Sequence, residues 1–298
     1  MFFGDVVGRP GRETVRDALP QLKERFKPDF IIANVENIAG GSGVTAPTVQ
    51  KIFAYGVNVC TTGDHIFRNK EFIHVIYDPR LLRPANLPTA ALGKGWNVYQ
   101  TSGGETIMVL NLLGRIFMEP NRCPFEAADE ALAAVAALPR KPRVIVADMH
   151  AEATSEKCAI GRHLDGRVSA VVGSHTHVQT ADDQILPGGT AYLTDLGMCG
   201  SHHSIIGREI QPVLQKLRTG MPARFEVASG GRKACGAVIR VETSTGKAVA
   251  VERFQEPVAE PPKDVKEDEN GNSSARNRVN PPADARRANA GSAAAADA

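Results

Sequence analysis

Residues 170–177 read Ala170-Val171-Val172-Gly173-Ser174-His175-Thr176-His177. The apolar run has the character of a strand buried on both faces. Gly173 ends it just before two histidines one residue apart. Imidazoles beside a buried strand are costly unless they have partners, so the pentapeptide 173–177 points to a polar or metal site. The same arrangement recurs outward along the chain. Asp5 follows Phe2-Phe3, Glu36-Asn37 follows Phe30-Ile31-Ile32, Asp64-His65 follows Val57-Asn58-Val59, and His150 follows Val144-Ile145-Val146. Strand ends that each deliver a carboxylate, amide or imidazole are the pattern of a metal site at the carboxyl edge of a parallel sheet.

Between these ends, strand and helix patterns alternate, which predicts a layered α/β domain with a central sheet. Val15, Leu19, Leu22 and Phe26 recur at helical spacing after a Pro10-Gly11 turn, and Pro28 stops them. Residues 30–35 and 57–60 read as strands, and 47–55, 68–76 and 125–138 as helices. Residues 96–100 and 106–112 read as strands flanking a Gly103-Gly104 turn. Residues 144–147 and 170–172 are short continuous apolar strands. Residues 223–227, 237–242 and 248–254 read as antiparallel strands closing the domain. A first strand starting at Met1 has three residues before Gly4, so it is either stunted or preceded by further residues.

Composition bounds the function. The 298 residues, 42% hydrophobic and 23% charged, suit a globular protein of one or two domains. A net charge of +2 gives no case for general nucleic-acid or membrane binding. No apolar stretch reaches the roughly 18 residues of a membrane span, and no secretion signal is visible. Five scattered cysteines without a CxxC pair suggest neither a disulfide framework nor a thiolate zinc site, so a reducing cytoplasm is expected. From Glu256 the sequence turns Pro-, charge- and Ala-rich with almost no large apolar residues. The expectation is one domain over 1–255 and a disordered tail over 256–298.

The candidate ligands are Asp5, Glu36, Asn37, Asp64, His150, His175 and His177. A mixed carboxylate and imidazole set suits Zn, Fe, Mn or Co. Two such ions acidify a bound water to hydroxide near neutral pH and take up charge on phosphoryl oxygens. His65 titrates in the range needed to protonate a leaving alkoxide. Singly, each signal has an ordinary reading. An Asp after a strand is commonly a turn former, Asp64-His65 could cap a helix, and a lone histidine is more often a hydrogen-bonded core residue. Their joint occurrence is what points to a site.

Gly4-Asp5-Val6-Val7-Gly8, Asn34-Val35-Glu36-Asn37, Gly63-Asp64-His65, the stretch 148–156 and Gly173-Ser174-His175-Thr176-His177-Val178-Gln179-Thr180 resemble the YmdB-type branch of the calcineurin-like metallophosphoesterases. Arg83-Pro84-Ala85-Asn86 and Thr194-Asp195-Leu196-Gly197-Met198 also resemble that branch, and the likeness runs over about residues 1–255. It implies a four-layer αββα fold, a dinuclear centre of iron or manganese, and hydrolysis of phosphodiesters, with 2′,3′-cyclic nucleotides as the substrate class. It further implies that Asp5, Glu36, Asn37 and His177 hold one ion. Glu36 would bridge to a second ion, held also by residue 64, His150 and His175, with His65 as proton donor. A homo-oligomer is implied too, with no interface stripe visible in the sequence. Asp64 departs from the pattern, where that branch has asparagine. The added negative charge is expected to bind the second ion more tightly and weaken its Lewis acidity. Two alternatives stand beside the diesterase: a regulatory protein that binds a phosphodiester with little turnover, and a phosphomonoesterase.

The remaining polar residues read as structural. His74 and His163 belong to helix patterns, and His202-His203 follow a glycine loop within reach of the site. Arg83 and Arg115 suit surface salt bridges, with phosphate contact as the other reading. Glu152 and Glu156 would either orient His150 or favour a helix start. Gly40-Gly41-Ser42-Gly43 lacks the ending of a P-loop, and Ser155 lacks a nucleophile-elbow motif.

Overall fold

A computed structural model describes residues 1–260. In chain order it contains β1 (Phe2–Phe3), β2 (Asp5–Val6), α1 (Gly8–Phe26), β3 (Ile32–Asn34), α2 (Ala46–Ala54), β4 (Val59–Thr61), β5 (Leu81–Leu82), β6 (Trp96–Gln100) and β7 (Thr106–Leu113). There follow α3 (Pro124–Ala136), β8 (Val144–His150), α4 (Thr154–Leu164), β9 (Ala170–Ser174), β10 (Gln184–Ile185), β11 (Ala191–Leu193), β12 (Met198–Ser201), α5 (Ile210–Thr219), β13 (Arg232–Val241) and β14 (Ala248–Pro257).

The strands form two sheets. The first runs β2-β12-β13-β1-β3-β4-β5, with β14 also paired to β13; the second runs β10-β11-β9-β8-β7-β6. The strands that carry the site are parallel to their neighbours: β1 with β3, β3 with β4, β7 with β8 and β8 with β9. Three apolar clusters separate four layers. One packs α1 and α2 on the first sheet through Val15, Leu19, Val49 and Ile52. A second packs α3 and α4 on the other sheet through Ala128, Ala131, Ile160 and Leu164. A third joins the two sheets, with Phe2, Val59 and Leu82 facing Val109, Val172 and Leu193. This is the expected αββα sandwich. Each fully buried Phe, Leu or Val in these clusters is worth about 1.5–3 kcal/mol relative to exposure.

Local sequence explains most elements. The face Val15, Leu19, Leu22 and Phe26 of α1 is buried. The helix ends where Lys27 turns left-handed (φ 48°), with Lys23 and Arg25 in its last turn complementing the dipole. It starts earlier than expected, at Gly8, so Pro10-Gly11 lie in the first turn, where a missing N–H costs nothing. Thr45 and Thr48 cap α2 reciprocally.

Two expectations fail. Residues 68–76 form only a 3₁₀ turn, Lys70–His74, begun by Asn69 accepting from the Glu71 N–H. None of the residues of this turn is buried, so no packed apolar face supports a longer helix. Residues 223–227 are not a strand. They make a single bridge, Val227 with Arg208, because β13 already has β12 and β1 on one side and β14 on the other. Helix α5 was not among the expected elements, although Ile210, Val213, Leu214 and Leu217 recur at helical spacing; of these only Val213 is buried. Strand β14 continues to Pro257, opposite Lys233, and beyond residue 260 the expected tail lies outside the described residues.

Candidate metal centre

Each expected site residue sits at or just past the carboxyl end of a strand. Asp5 opens β2 after the break at Gly4. Glu36 and Asn37 lie in the turn after β3, and Asp64 and His65 follow β4. His150 ends β8, and His175 and His177 follow β9.

The structure brings these side chains together. Ligand atoms of Glu36, Asp64, His150 and His175 all lie within 4.8 Å of one another. His150 Nε2 is 3.1 Å from Glu36 Oε2 and 3.4 Å from Asp64 Oδ1. His175 turns its Nδ1 inward, 3.0 Å from His150 Nε2. A second group lies beside the first. His177 Nε2 is 3.3 Å from Asn37 Nδ2 and 3.8 Å from Asp5 Oδ1. Glu36 touches both groups, with Oε1 accepting from Asn37 Nδ2 at 2.9 Å and Oε2 facing His150. His65 Nδ1 donates to Asn37 Oδ1 at 2.9 Å, and its backbone N–H donates to Glu36 Oε2 at 3.2 Å.

The backbone is shaped for this approach. A Cβ at Gly63 would stand 2.2 Å from His150 Nε2 and 2.3 Å from Glu36 Oε2, so only glycine leaves room there. His175 and His177 both have positive φ, 97° and 66°. Side chains other than glycine avoid that region at about 1–3 kcal/mol each, and such strain persists where the surroundings over-determine it.

Charge is distributed unevenly. Burial pushes the Asp5 carboxyl up to about 6, against the pull of His177 and His150. Burial would also raise Glu36, but the neighbouring His150 and His65 hold it well below the ordinary range. Asp64 is likewise lowered: burial is outweighed by the neighbouring imidazoles of His150 and His65. Burial disfavours charge on His150, yet Glu36, Asp64 and Asp5 raise it well above an ordinary histidine. His65 is raised in the same way, by Glu36 and Asp64 overcoming burial. Burial and the charge of His150 lower His175 to about 4, leaving its imidazole neutral at pH 7.

This donor set fits divalent cations. Asp5 Oδ1 and Asp64 Oδ1 are buried without a hydrogen-bond partner, one in each group. Orphaned carboxylate oxygens are expensive, and a cation between them and the imidazoles would satisfy both. No thiolate contributes, and carboxylate with imidazole suits Fe, Mn, Zn or Co.

Glu152 and Arg83 depart from expectation, whereas Glu156 stands in the first turn of α4 and His163 is structural, as expected. Glu152 contacts His175 Nε2 at 3.2 Å, not His150. Glu156 accepts from the Arg115 and Ile116 N–H groups and fixes that loop. Arg83 is buried among backbone carbonyls of Leu92, Pro84 and Ala91. His202 turns to the Met198 carbonyl, and His163 pairs with Asp129. Sequence reading missed the support of His150. His150 Nδ1 is 2.9 Å from Ser174 Oγ, which donates to the buried Asp148 at 2.6 Å, and Asn34 also donates to Asp148 at 3.0 Å. Strand alternation could have found Asp148, two residues before His150 and therefore on the same face of β8.

The chain has clear relatives among known proteins. A family model described as YmdB-like protein matches residues 1–254. The 2′,3′-cyclic-nucleotide 2′-phosphodiesterase of Bacillus subtilis (strain 168) is 46% identical over 255 residues, covering 85% of this chain and 95% of that protein. The crystal structure of a hypothetical protein from Thermus thermophilus superposes with a TM-score of 0.80 at 38% identity, over 87% of this chain and 98% of that one. That of a novel phosphatase from Mycoplasma pneumoniae gives 0.81 at 34% identity, over 87% and 93%.

Proposed function

The chain belongs to the YmdB-like family, and from that premise we propose that it is a dinuclear-metal phosphodiesterase acting on 2′,3′-cyclic nucleotides. The observation that carries the proposal is the convergence of Glu36, Asp64, His150 and His175 within 4.8 Å beside Asp5, Asn37 and His177. The Bacillus subtilis relative supports the substrate class by its own activity. In this reading Asp5, Glu36, Asn37 and His177 hold one ion. Glu36, Asp64, His150 and His175 hold the other, and Glu36 is shared. When bound, such ions supply positive charge to phosphoryl oxygens and make a nucleophile from water near neutral pH. Iron or manganese is the proposed pair.

The chain's own residues do the rest. Glu36 Oε1, 3.3 Å from His65 Nδ1, keeps a proton on that nitrogen. Nε2, 3.4 Å from Asp64 Oδ2, is therefore the nitrogen that gains and loses a proton. Because Glu36 and Asp64 raise its pKa, His65 holds a proton there that the departing ester oxygen can take. The half-exposed Glu152 accepts from His175 Nε2 and keeps Nδ1 pointed inward.

Among the described residues no helix is long and apolar enough to cross a membrane. All five cysteines are free, which supports a reducing cytoplasmic setting. The test is hydrolysis of 2′,3′-cyclic AMP by the protein loaded with Mn²⁺ or Fe²⁺. Turnover lost on Glu36→Gln is expected. No hydrolysis despite two bound ions would favour phosphodiester binding without turnover, and a strong preference for a phosphomonoester over bis-p-nitrophenyl phosphate would sink the diesterase reading.

A further inference from the structure

Outside the ligand set lies a buried ion pair. Lys157 on α4 and Asp195, just past β11, have side chains 2% and 1% exposed, with Nζ 2.6 Å from Oδ2. Burying two charges is weak ground for stability, since apolar replacements of such pairs are often neutral or better. Asp195 spends its other hydrogen bonds in one place. Its Oδ2 accepts from Thr176 N at 3.2 Å and Thr176 Oγ1 at 2.7 Å, and its Oδ1 accepts from Gly197 N at 2.8 Å.

Thr176 is the residue between His175 and His177, the two that sit at φ 97° and 66°. A loop with unfavourable dihedrals on both sides of one residue needs that residue held. Asp195 grips Thr176 by backbone and side chain, and Lys157 holds that carboxylate in place. The grip is itself locked to β9. Leu196 N–H donates to the Gly173 carbonyl at 2.8 Å, and a Cβ at Gly173 would fall 1.8 Å from the Thr194 carbonyl oxygen.

We propose that the Lys157–Asp195 pair is a positioning device that clamps Thr176 and thereby aims His175 and His177 at two different ions. The proposal rests on the metal-centre reading above. Neither member touches a reacting atom. Without the clamp the loop relaxes toward ordinary φ, and both imidazoles turn away from their groups together.

The test uses the full chain and the metal alone. The Lys157→Met, Asp195→Leu double variant replaces the pair with apolar side chains of similar size. Its unfolding temperature without metal reflects two opposing effects, relief of the buried charges and loss of the acceptor for the Thr176 and Gly197 donors, so metal binding is the readout. Its affinity for Mn²⁺ by calorimetry should fall roughly 10- to 100-fold at both sites, as for other groups that orient metal ligands. With Co²⁺, the visible absorption spectrum should change shape, which a purely structural role would not cause. Thr176→Val and Thr176→Ser provide a second route should the double variant not fold. Valine should weaken both ions, and serine should restore them. Wild-type Mn²⁺ affinity and stoichiometry in the double variant, or in Thr176→Val, would overturn the proposal. A wild type that binds no ion removes the metal-centre reading itself, a failure distinct from that of the clamp.

Discussion

Replacing Asp5 by asparagine should stabilise the metal-free protein at pH 7 and destabilise it, relative to wild type, once metal is added. Asp5 is fully buried, and its carboxyl is pushed from 3.8 to about 6. The folded state therefore holds that proton more tightly than the unfolded chain does. Stability from this group is complete below pH 3.8 and is lost as pH rises through about 6. By pH 7 the cost is about 3 kcal/mol, from roughly two pKa units at 1.36 kcal/mol each. Asparagine avoids it and still accepts the His175 N–H bond that Asp5 Oδ2 now takes at 3.0 Å. Metal reverses the sign. An ion at 1,000 times its dissociation constant adds about 4.1 kcal/mol to a protein that binds it only when folded, more than the cost of the buried charge, and the variant forgoes that gain. The assay is urea unfolding after chelation, repeated with Mn²⁺, at pH 7 and pH 4. The expected pattern is a variant about 3 kcal/mol more stable without metal at pH 7, with most of that difference gone at pH 4. A metal-free variant less stable than wild type at pH 7, or one that gains as much from Mn²⁺, would refute the reasoning.

Three further outcomes follow from the same geometry. His65→Ala should lower kcat by about 10²- to 10⁴-fold while metal content, measured by elemental analysis, stays unchanged; a parallel loss of metal would make His65 a ligand instead. Gly63→Ala should keep the far-ultraviolet dichroism and lose both ions, because the new methyl group enters the space between His150 and Glu36; retention of two ions would show the pocket is more yielding than drawn. Asp64→Asn should weaken the ion at His150 and His175 by roughly ten- to hundredfold and raise turnover once saturated, read by Mn²⁺ titration with steady-state kinetics; unchanged binding and rate would make the extra charge inconsequential.

The residues of the candidate centre were legible because strand ends advertise themselves. A short apolar run marks a buried strand, and Asp5, Glu36, Asp64, His150 and His175 each lie within a few residues past the end of one. What was hidden depends on contacts distant in sequence. Lys157 meets Asp195 across 38 positions, and Asn34 meets Asp148 across 114. Nor does a sequence say which imidazole nitrogen faces inward: His150 uses Nε2 and His175 uses Nδ1, settled by Ser174 behind one ring and Glu152 behind the other. The strand expected over 223–227 had the right alternation, but β13 is already paired on both sides, and the segment bridges only Arg208.

The two sheets divide the chemistry between them. Asp5, Glu36 and Asp64 hang from the first sheet, and His150, His175 and His177 from the second. Neither set is comfortable alone. Three buried or half-buried carboxylates would repel, and three imidazoles would have no reason to be desolvated. Facing each other, Glu36 is pulled down and His150 is pulled up, each by the other, while burial still raises Asp5 and lowers His175. That mutual neutralisation is what lets the centre persist in the folded chain before any ion arrives. The spacing is set by the apolar layer between the sheets, where Val59 and Leu82 meet Val146 and Val172. Such layers are packed like crystals and do not deform continuously, so a gap of 3–4 Å between opposing ligands at the rim inherits their rigidity. Ions bound there would cross-link the two sheets as well as serve chemistry. On this reading the sheet-to-sheet interface and the metal centre support each other, and a change in either is felt by the other.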